Sequence, residues 1–324
     1  MTVYIAAALA AFALSVVTGV AVIPLLKKLK AGQNILSYVK QHEYKGGTPT
    51  MGGIIFVTAA SAVILLFCDK AQLRTAAVIC AAGLSFAAVG FLDDFIKIKL
   101  RRNEGLKPYQ KIVFQLAVAA IISVYACLKG YTAVNLPFSG RKVDLGWWML
   151  PFAVFVYIAT TNCVNLTDGL DGLAAGVSYV YFAALALITF VSGSGRYYTD
   201  VFVLSGFSIA GALVGFLLFN TYRAKVFMGD TGSLAIGGFV SVVSLFSGNV
   251  LLIPLVGIMF VVTGISVIVQ VIYYKRTGRR VFLMAPVHHH FQMKGASESK
   301  IAFVYKIITA AMGALCLLTA AGGN

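Results

Sequence analysis

Apolar runs of about twenty residues recur along the whole chain, and no other feature limits the fold so sharply. A run of that length crosses a hydrocarbon core of ~30 Å as a helix that satisfies its own backbone. Ten runs are readable, at about 3–26, 51–68, 73–93, 110–128, 147–165, 172–192, 201–219, 233–247, 250–274 and 299–321. Only 11% of the residues are charged and 60% are hydrophobic, whereas soluble domains carry roughly 25% charged residues. The expected fold class is an all-α polytopic membrane protein of about ten transmembrane helices, forming one domain over residues 1–324.

Basic residues set the expected orientation. No Lys or Arg precedes the first run, whereas Lys27, Lys28, Lys30, Lys40 and Lys45 follow it. The loops on that side of the bundle carry 19 Lys and Arg in all, against six on the other side, with Lys306 inside the last run. The rich side is expected to be cytoplasmic and both termini outside, and the missing positive n-region argues against a signal peptide. A formal net charge of +15 then follows from topology and attraction to anionic lipid or phosphorylated substrate, and calls for no nucleic acid. The five cysteines lie in or at the ends of apolar runs without a CxxC, as small core residues do. On the outer side, 129–146 combines Pro, Ser-Gly and β-branched residues, which predicts a small hairpin.

Nearly all the unusual chemistry falls in cytoplasmic loops. Asp93 and Asp94 close the third run, and Lys97 follows as an i,i+4 neighbour of Asp93. Two like charges at the negative end of a helix dipole are unfavourable unless a cation joins them. A carboxylate pair with a lysine suits Mg²⁺ and phosphate together, although a surface ion pair flanking a helix reads the same way. Asn165, Asp168 and Asp171 recur every three residues, on one face if helical; Asp and Asn beside Gly also serve as caps and turns. In Phe227-Met-Gly-Asp230-Thr-Gly-Ser the glycines let backbone amides approach an anion, and Asp230 equally could N-cap a helix starting near Ser233. His288, His289 and His290 are consecutive, so a regular helix cannot aim all three at one metal. A loop offering them to phosphate oxygens is the expectation. Lys45-Gly-Gly-Thr48-Pro-Thr50 is an anion-friendly turn before a membrane run.

No carboxylate falls within the apolar runs away from their ends, where a coupled transporter would place ionisable groups near the midplane. Among notable polar residues those runs hold Gln115, Asn162 and Gln270, with Lys306 able to snorkel. The residues by themselves therefore point to a polytopic enzyme handling a phosphorylated, Mg²⁺-bound substrate at the cytoplasmic face.

Five motifs carry a family resemblance: GTPTMGG (47–53), FLDDFIK (91–97), NLTDGLDG (165–172), FMGDTGSL (227–234) and PVHHHF (286–291). In this order they resemble the polyprenyl-phosphate N-acetylhexosamine-1-phosphate transferases. GTPTMGG and the unbroken HHH favour the branch that transfers phospho-N-acetylmuramoyl-pentapeptide over the UDP-GlcNAc branch. The one departure is Gln292, where the resemblance leads us to expect Glu. The resemblance implies transfer from UDP-MurNAc-pentapeptide to undecaprenyl phosphate in the bacterial plasma membrane, release of UMP, Mg²⁺ as cofactor and a homodimer. It implies Asp230 as metal ligand and Asp93, Asp94 and His289 beside it in the catalytic set. Phe227 matches the aromatic that stacks on uracil, and Asn165, Asp168, Asp171, Asn220 and Gln270 match the nucleotide and sugar pocket. Lys45, Thr50, Lys97, Lys111, His288 and His290 match the remaining polar lining. The rival readings are the sibling transferase acting on UDP-GlcNAc and a lipid or solute transporter built on the same bundle.

Overall fold

A computed structural model of the chain describes residues 1–29, 47–100, 104–193 and 200–322; Lys45 lies outside the described residues. The fold is a helical bundle: α1 (Thr2–Lys28), α2 (Gly53–Phe67), α3 (Leu73–Leu100), α4 (Pro108–Leu128), α5 (Met149–Thr167), α6 (Leu173–Ser192), α7 (Asp200–Asn220), α8 (Gly229–Phe246), α9 (Leu252–Val256), α10 (Ile258–Thr277), α11 (Val287–Met293) and α12 (Glu298–Gly322). Among the described residues nine helices are long and apolar enough to cross a membrane, and Gly53–Phe67 is a shorter apolar helix. Fifteen residues reach only about 22 Å at 1.5 Å per residue. The all-α polytopic expectation holds. Between α4 and α5, β1 (Ala133–Asn135) pairs antiparallel with β2 (Lys142–Asp144), with Val134 opposite Val143, so the expected hairpin is present.

Three expectations about the elements need correction. The run 250–274 is not one helix: the chain breaks at Gly257, between α9 and α10. At that break a side chain at 257 would press on the Ile253 carbonyl at 2.6 Å. Helix α8 starts at Gly229, with Met228 as N-cap, so Asp230 is a first-turn residue and not the cap of a helix starting at Ser233. The histidines sit on the short helix α11, not in a loop.

Helix α8 is the axis of the site. It is buried almost throughout, against α3 on one side and α5 on another. Small residues allow this closeness, as is usual where helices meet without water. A Cβ at Gly90 of α3 would overlap the Asp230 carbonyl, one at Gly83 would overlap the Phe239 ring, and one at Gly237 would overlap Thr161 of α5. Helices α4 and α5 are tied at the same depth, where Asn162 Nδ2 donates to Gln115 Oε1 at 2.8 Å. Large apolar side chains such as Leu9, Leu66, Ile121, Phe155 and Leu318 are left exposed, as lipid-facing positions require. Asp93, Lys111, Asn165 and Asp230 thus approach one another from the end of the bundle opposite the hairpin.

Candidate active site

Asp93 and Asp94 are buried on α3, and the helix runs on for six residues past Asp94 to Leu100. They are therefore not at the helix terminus, and the dipole of α3, which acts within the last turn, is not what disfavours the pair. What balances them comes from other elements. Asp94 Oδ1 accepts the Asp230 N–H at 3.2 Å, and Asp94 Oδ2 accepts the Thr231 N–H at 2.9 Å and the Thr231 hydroxyl at 2.8 Å. The N-terminus of α8 is thus capped by a carboxylate from α3, which also meets the positive end of its dipole.

This contact explains the glycine before Asp230. Gly229 has φ +69°, and a Cβ there would meet Asp94 Oδ2 and stand 2.6 Å from Thr50 Oγ1. Only a residue without a side chain fits the left-handed turn and lets the two loops touch. Thr50 is held there by the short ladder of Phe227 N–H to Pro49 O and Gly52 N–H to Phe227 O, which also fixes Phe227, half-buried at the rim. The buried Thr50 Oγ1 has no hydrogen-bond partner among the described residues.

Asp93 and Asp230 face the same ammonium. Lys97 Nζ pairs with Asp93 Oδ2, lies 2.9 Å from Asp230 Oδ2 and 3.8 Å from Asp94 Oδ1. Lys111, one turn into α4, also reaches Asp230 Oδ2 at 2.9 Å. Asn165 orients the other oxygen, donating from Nδ2 to Asp230 Oδ1 at 2.7 Å and to Ser233 Oγ at 2.8 Å. Asp93 Oδ1 accepts the Leu106 N–H at 2.8 Å. Carboxylate oxygens of Asp93, Asp94 and Asp230 all lie within 4.8 Å of one another. An all-oxygen donor set suits a hard divalent cation such as Mg²⁺, and the Lys97 ammonium at its centre is a positive charge that the pocket already accepts. The residues fit the ion.

The Asn165–Asp171 segment does not present one face. Helix α5 ends at Thr167 with Asp168 as its C-cap, and Gly172 is the N-cap of α6, so Asn165 turns to Asp230 while Asp171 turns away. Asp171 Oδ2 accepts the Ala224 N–H at 3.1 Å, and its own N–H donates to Glu298 Oε2 at 3.2 Å. The histidines diverge as a helix dictates. His288 is fully buried beside Gly169, and burial, with His289 beside it, pushes its pKa down to about 3. His289 Nδ1 pairs with Gln292 Oε1 at 3.0 Å, and His290 Nδ1 accepts the Leu283 N–H at 3.1 Å. Asn220 donates to the Val226 carbonyl, and Gln270 brackets 281–282 through its amide; both hydrogen bond to backbone.

Thr231, Ser233, Leu106, Gly90 and Glu298 were missed by sequence reasoning. Ser233 stands one turn after Asp230 and could have been found by helical spacing. A backbone N–H such as that of Leu106 leaves no sequence signal.

The profile of glycosyl transferase family 4 matches residues 76–248, the stretch containing all three carboxylates. A phospho-N-acetylmuramoyl-pentapeptide-transferase of Clostridium botulinum (strain Eklund 17B / Type B) is 44% identical over 306 residues, 94% of this chain and 93% of the relative. One of Caldanaerobacter subterraneus subsp. tengcongensis is 42% identical, with 94% of each chain covered, and one of Clostridioides difficile (strain 630) is 41% identical, with 96% of each covered. At that identity over nearly the full length, the chain belongs to glycosyl transferase family 4 and, within it, to the phospho-N-acetylmuramoyl-pentapeptide-transferases.

Proposed function

We propose that the chain transfers phospho-N-acetylmuramoyl-pentapeptide from its UDP carrier to undecaprenyl phosphate, releasing UMP, at the cytoplasmic face of a bacterial plasma membrane. The observation that carries this reading is the convergence of Asp93, Asp94, Asp230, Lys97 and Lys111 at one end of the bundle. That end is the one where the basic loops gather, so it faces the cytoplasm by the same charge rule that places the termini outside.

In this scheme an oxygen of the lipid phosphate attacks the β-phosphorus of the UDP-sugar. The bond from that phosphorus to the bridging oxygen breaks, and the electron pair leaves with UMP. A phosphate monoester has a second pKa of about 6, so the nucleophile is mostly dianionic at pH 7 and needs no strong base. Asp93 then orients the acceptor. Asp230 and Asp93 would hold Mg²⁺, which when bound supplies neutralisation of the diphosphate and of the departing charge. Lys97 and Lys111 add two ammonium groups within reach of phosphate oxygens, and Asn165 keeps Asp230 in one orientation. Asp94 serves the site by fixing the first turn of α8.

The test is UMP release by detergent-purified protein with undecaprenyl phosphate and Mg²⁺, comparing UDP-MurNAc-pentapeptide with UDP-GlcNAc. Release with the muropeptide donor alone is expected. Release with UDP-GlcNAc alone overturns the substrate, and release with neither from folded protein overturns the reaction.

A further inference from the structure

Helix α4 is an outer helix. Its Val113, Phe114, Leu116 and Ile121 are exposed, yet Lys111 reaches inward to Asp230 Oδ2 at 2.9 Å. Apolar packing alone does not fix how far such a helix slides or turns, because it is non-directional. One turn deeper than Lys111, at i,i+4 on the same face, stands Gln115, which is fully buried. Its Oε1 accepts Asn162 Nδ2 at 2.8 Å, and Asn162 also donates to the Ile158 carbonyl of its own helix at 2.8 Å. Asn162 follows Thr161, where α5 presses so closely on α8 that a Cβ at Gly237 would overlap it. The contacts close a frame. It runs from Asp230 along α8 to Gly237, across to Thr161 and Asn162, across again to Gln115, and back along α4 to Lys111. There the ammonium returns to Asp230, with Asn165 Oδ1 3.5 Å away as the upper rung between α4 and α5.

Stability is a poor reason for this pair. Gln115 Nε2 is buried with no hydrogen-bond partner among the described residues, a cost that an apolar side chain avoids. Replacing both members of such a pair by apolar groups of similar shape is close to neutral. What a polar pair in an apolar seam supplies is register. We propose that Gln115 and Asn162 are positioning residues. Their bond ties the outer helix α4 to the part of α5 that is fastened to α8, and so holds the Lys111 ammonium on Asp230 Oδ2. The benefit to phospho-sugar transfer rests on the transferase reading, whereas the placement of Lys111 does not.

The experiment uses the full-length protein in detergent with Gln115→Met, which keeps the side chain's length and removes its acceptor, and with Lys111→Met, alone and combined. Mn²⁺ binding without substrate, read by the paramagnetic signal of free ion, reports the ammonium that competes for Asp230. Gln115→Met is expected to bind Mn²⁺ about threefold more tightly, the scale of one partly exposed ion pair. It should release UMP with kcat/KM about tenfold lower, within the ~10²-fold that a displacement of about 1 Å can cost. Its unfolding midpoint stays at or above that of wild type. In the Lys111→Met background both effects disappear, because the residue they act through is gone. Unchanged Mn²⁺ affinity in folded Gln115→Met overturns the proposal, and so do effects that simply add to those of Lys111→Met, as a merely structural role requires. If Gln115→Met does not fold, Asn162→Leu breaks the same bond from α5 and is read in the same way. Loss of folding in both assigns the pair to stability and overturns the proposal. If Mn²⁺ binding tightens as stated but the wild type releases UMP from neither donor, the transferase reading fails and the positioning stands.

Discussion

One oxygen of Asp94, Oδ2, accepts both the backbone N–H and the hydroxyl of Thr231, so a carboxylate on α3 serves as the cap of α8. Two adjacent aspartates therefore do different work. Asp93 faces the Lys97 ammonium, and Asp94 fastens the helix that carries Asp230.

That division predicts a stability effect at Asp94. Asp94→Ala leaves the N–H groups of Asp230 and Thr231 buried without their acceptor, which costs about 3 kcal/mol. Thr231→Val removes only the hydroxyl bond and costs about 1 kcal/mol. Thermal unfolding in detergent is expected to rank wild type, Thr231→Val and Asp94→Ala in falling order; equal midpoints would remove the capping role.

At Asp230 the expected loss is in chemistry. Asp230→Ala takes away the oxygen shared by Lys97 and Lys111 and the proposed metal ligand. UMP release should fall by at least ~10³-fold, the scale of losing one preorganised electrostatic group, while unfolding stays cooperative. Near-normal turnover in this variant would mean that the metal is held elsewhere.

Lys97 gives opposite signs in binding and turnover. Its ammonium occupies the space among the three carboxylates, so Lys97→Met should bind Mn²⁺ more tightly, read by the paramagnetic signal of free ion. Turnover should nevertheless fall about 10²-fold, because one phosphate-facing charge is gone. Weaker cation binding would show that Lys97 does not share the pocket with the ion.

Gly90 tests whether helix closeness builds the site. A methyl there overlaps the Asp230 carbonyl, so Gly90→Ala must push α3 and α8 apart. Overpacking of this kind costs about 1–3 kcal/mol and should reduce turnover through Asp230 misplacement. A variant with wild-type melting and activity would refute the packing shown at this point.

The buried His288 predicts a pH effect outside the membrane-spanning helices. Its pKa is about 3 in the folded chain and about 6.5 unfolded. Between those values the unfolded chain binds the additional proton, so stability falls as pH drops from about 6.5 toward 3. His288→Phe should flatten that part of the stability profile, measured as unfolding midpoint from pH 4 to 7. An unchanged slope would show that another group sets the acid limb.

Lys97 was legible because an i,i+4 lysine beside an aspartate needs only helix geometry. Asp230 drew notice as one acidic residue among glycines, yet its position in the first turn of α8 was hidden by the apolar pattern, which becomes continuous only from Leu234. Asn165, Asp168 and Asp171 show the limit more sharply. Their spacing suggested one face, but α5 stops at Thr167 and the turn sends Asp171 toward Ala224 and Glu298.

The sequence by itself determined the class of solvent, the run of spanning helices, the hairpin and the end of the bundle where charge collects. All of these follow from local hydropathy and turn chemistry, which act over a few residues. Only the tertiary structure decided that Asp94 caps α8 and that Lys97 and Lys111 share one oxygen of Asp230. Those pairings join residues far apart in the chain, and they exist because Gly90, Gly229 and Gly237 let separate elements approach to backbone distance. Glycine announces permission for such an approach, but which partner fills the space depends on every helix around it.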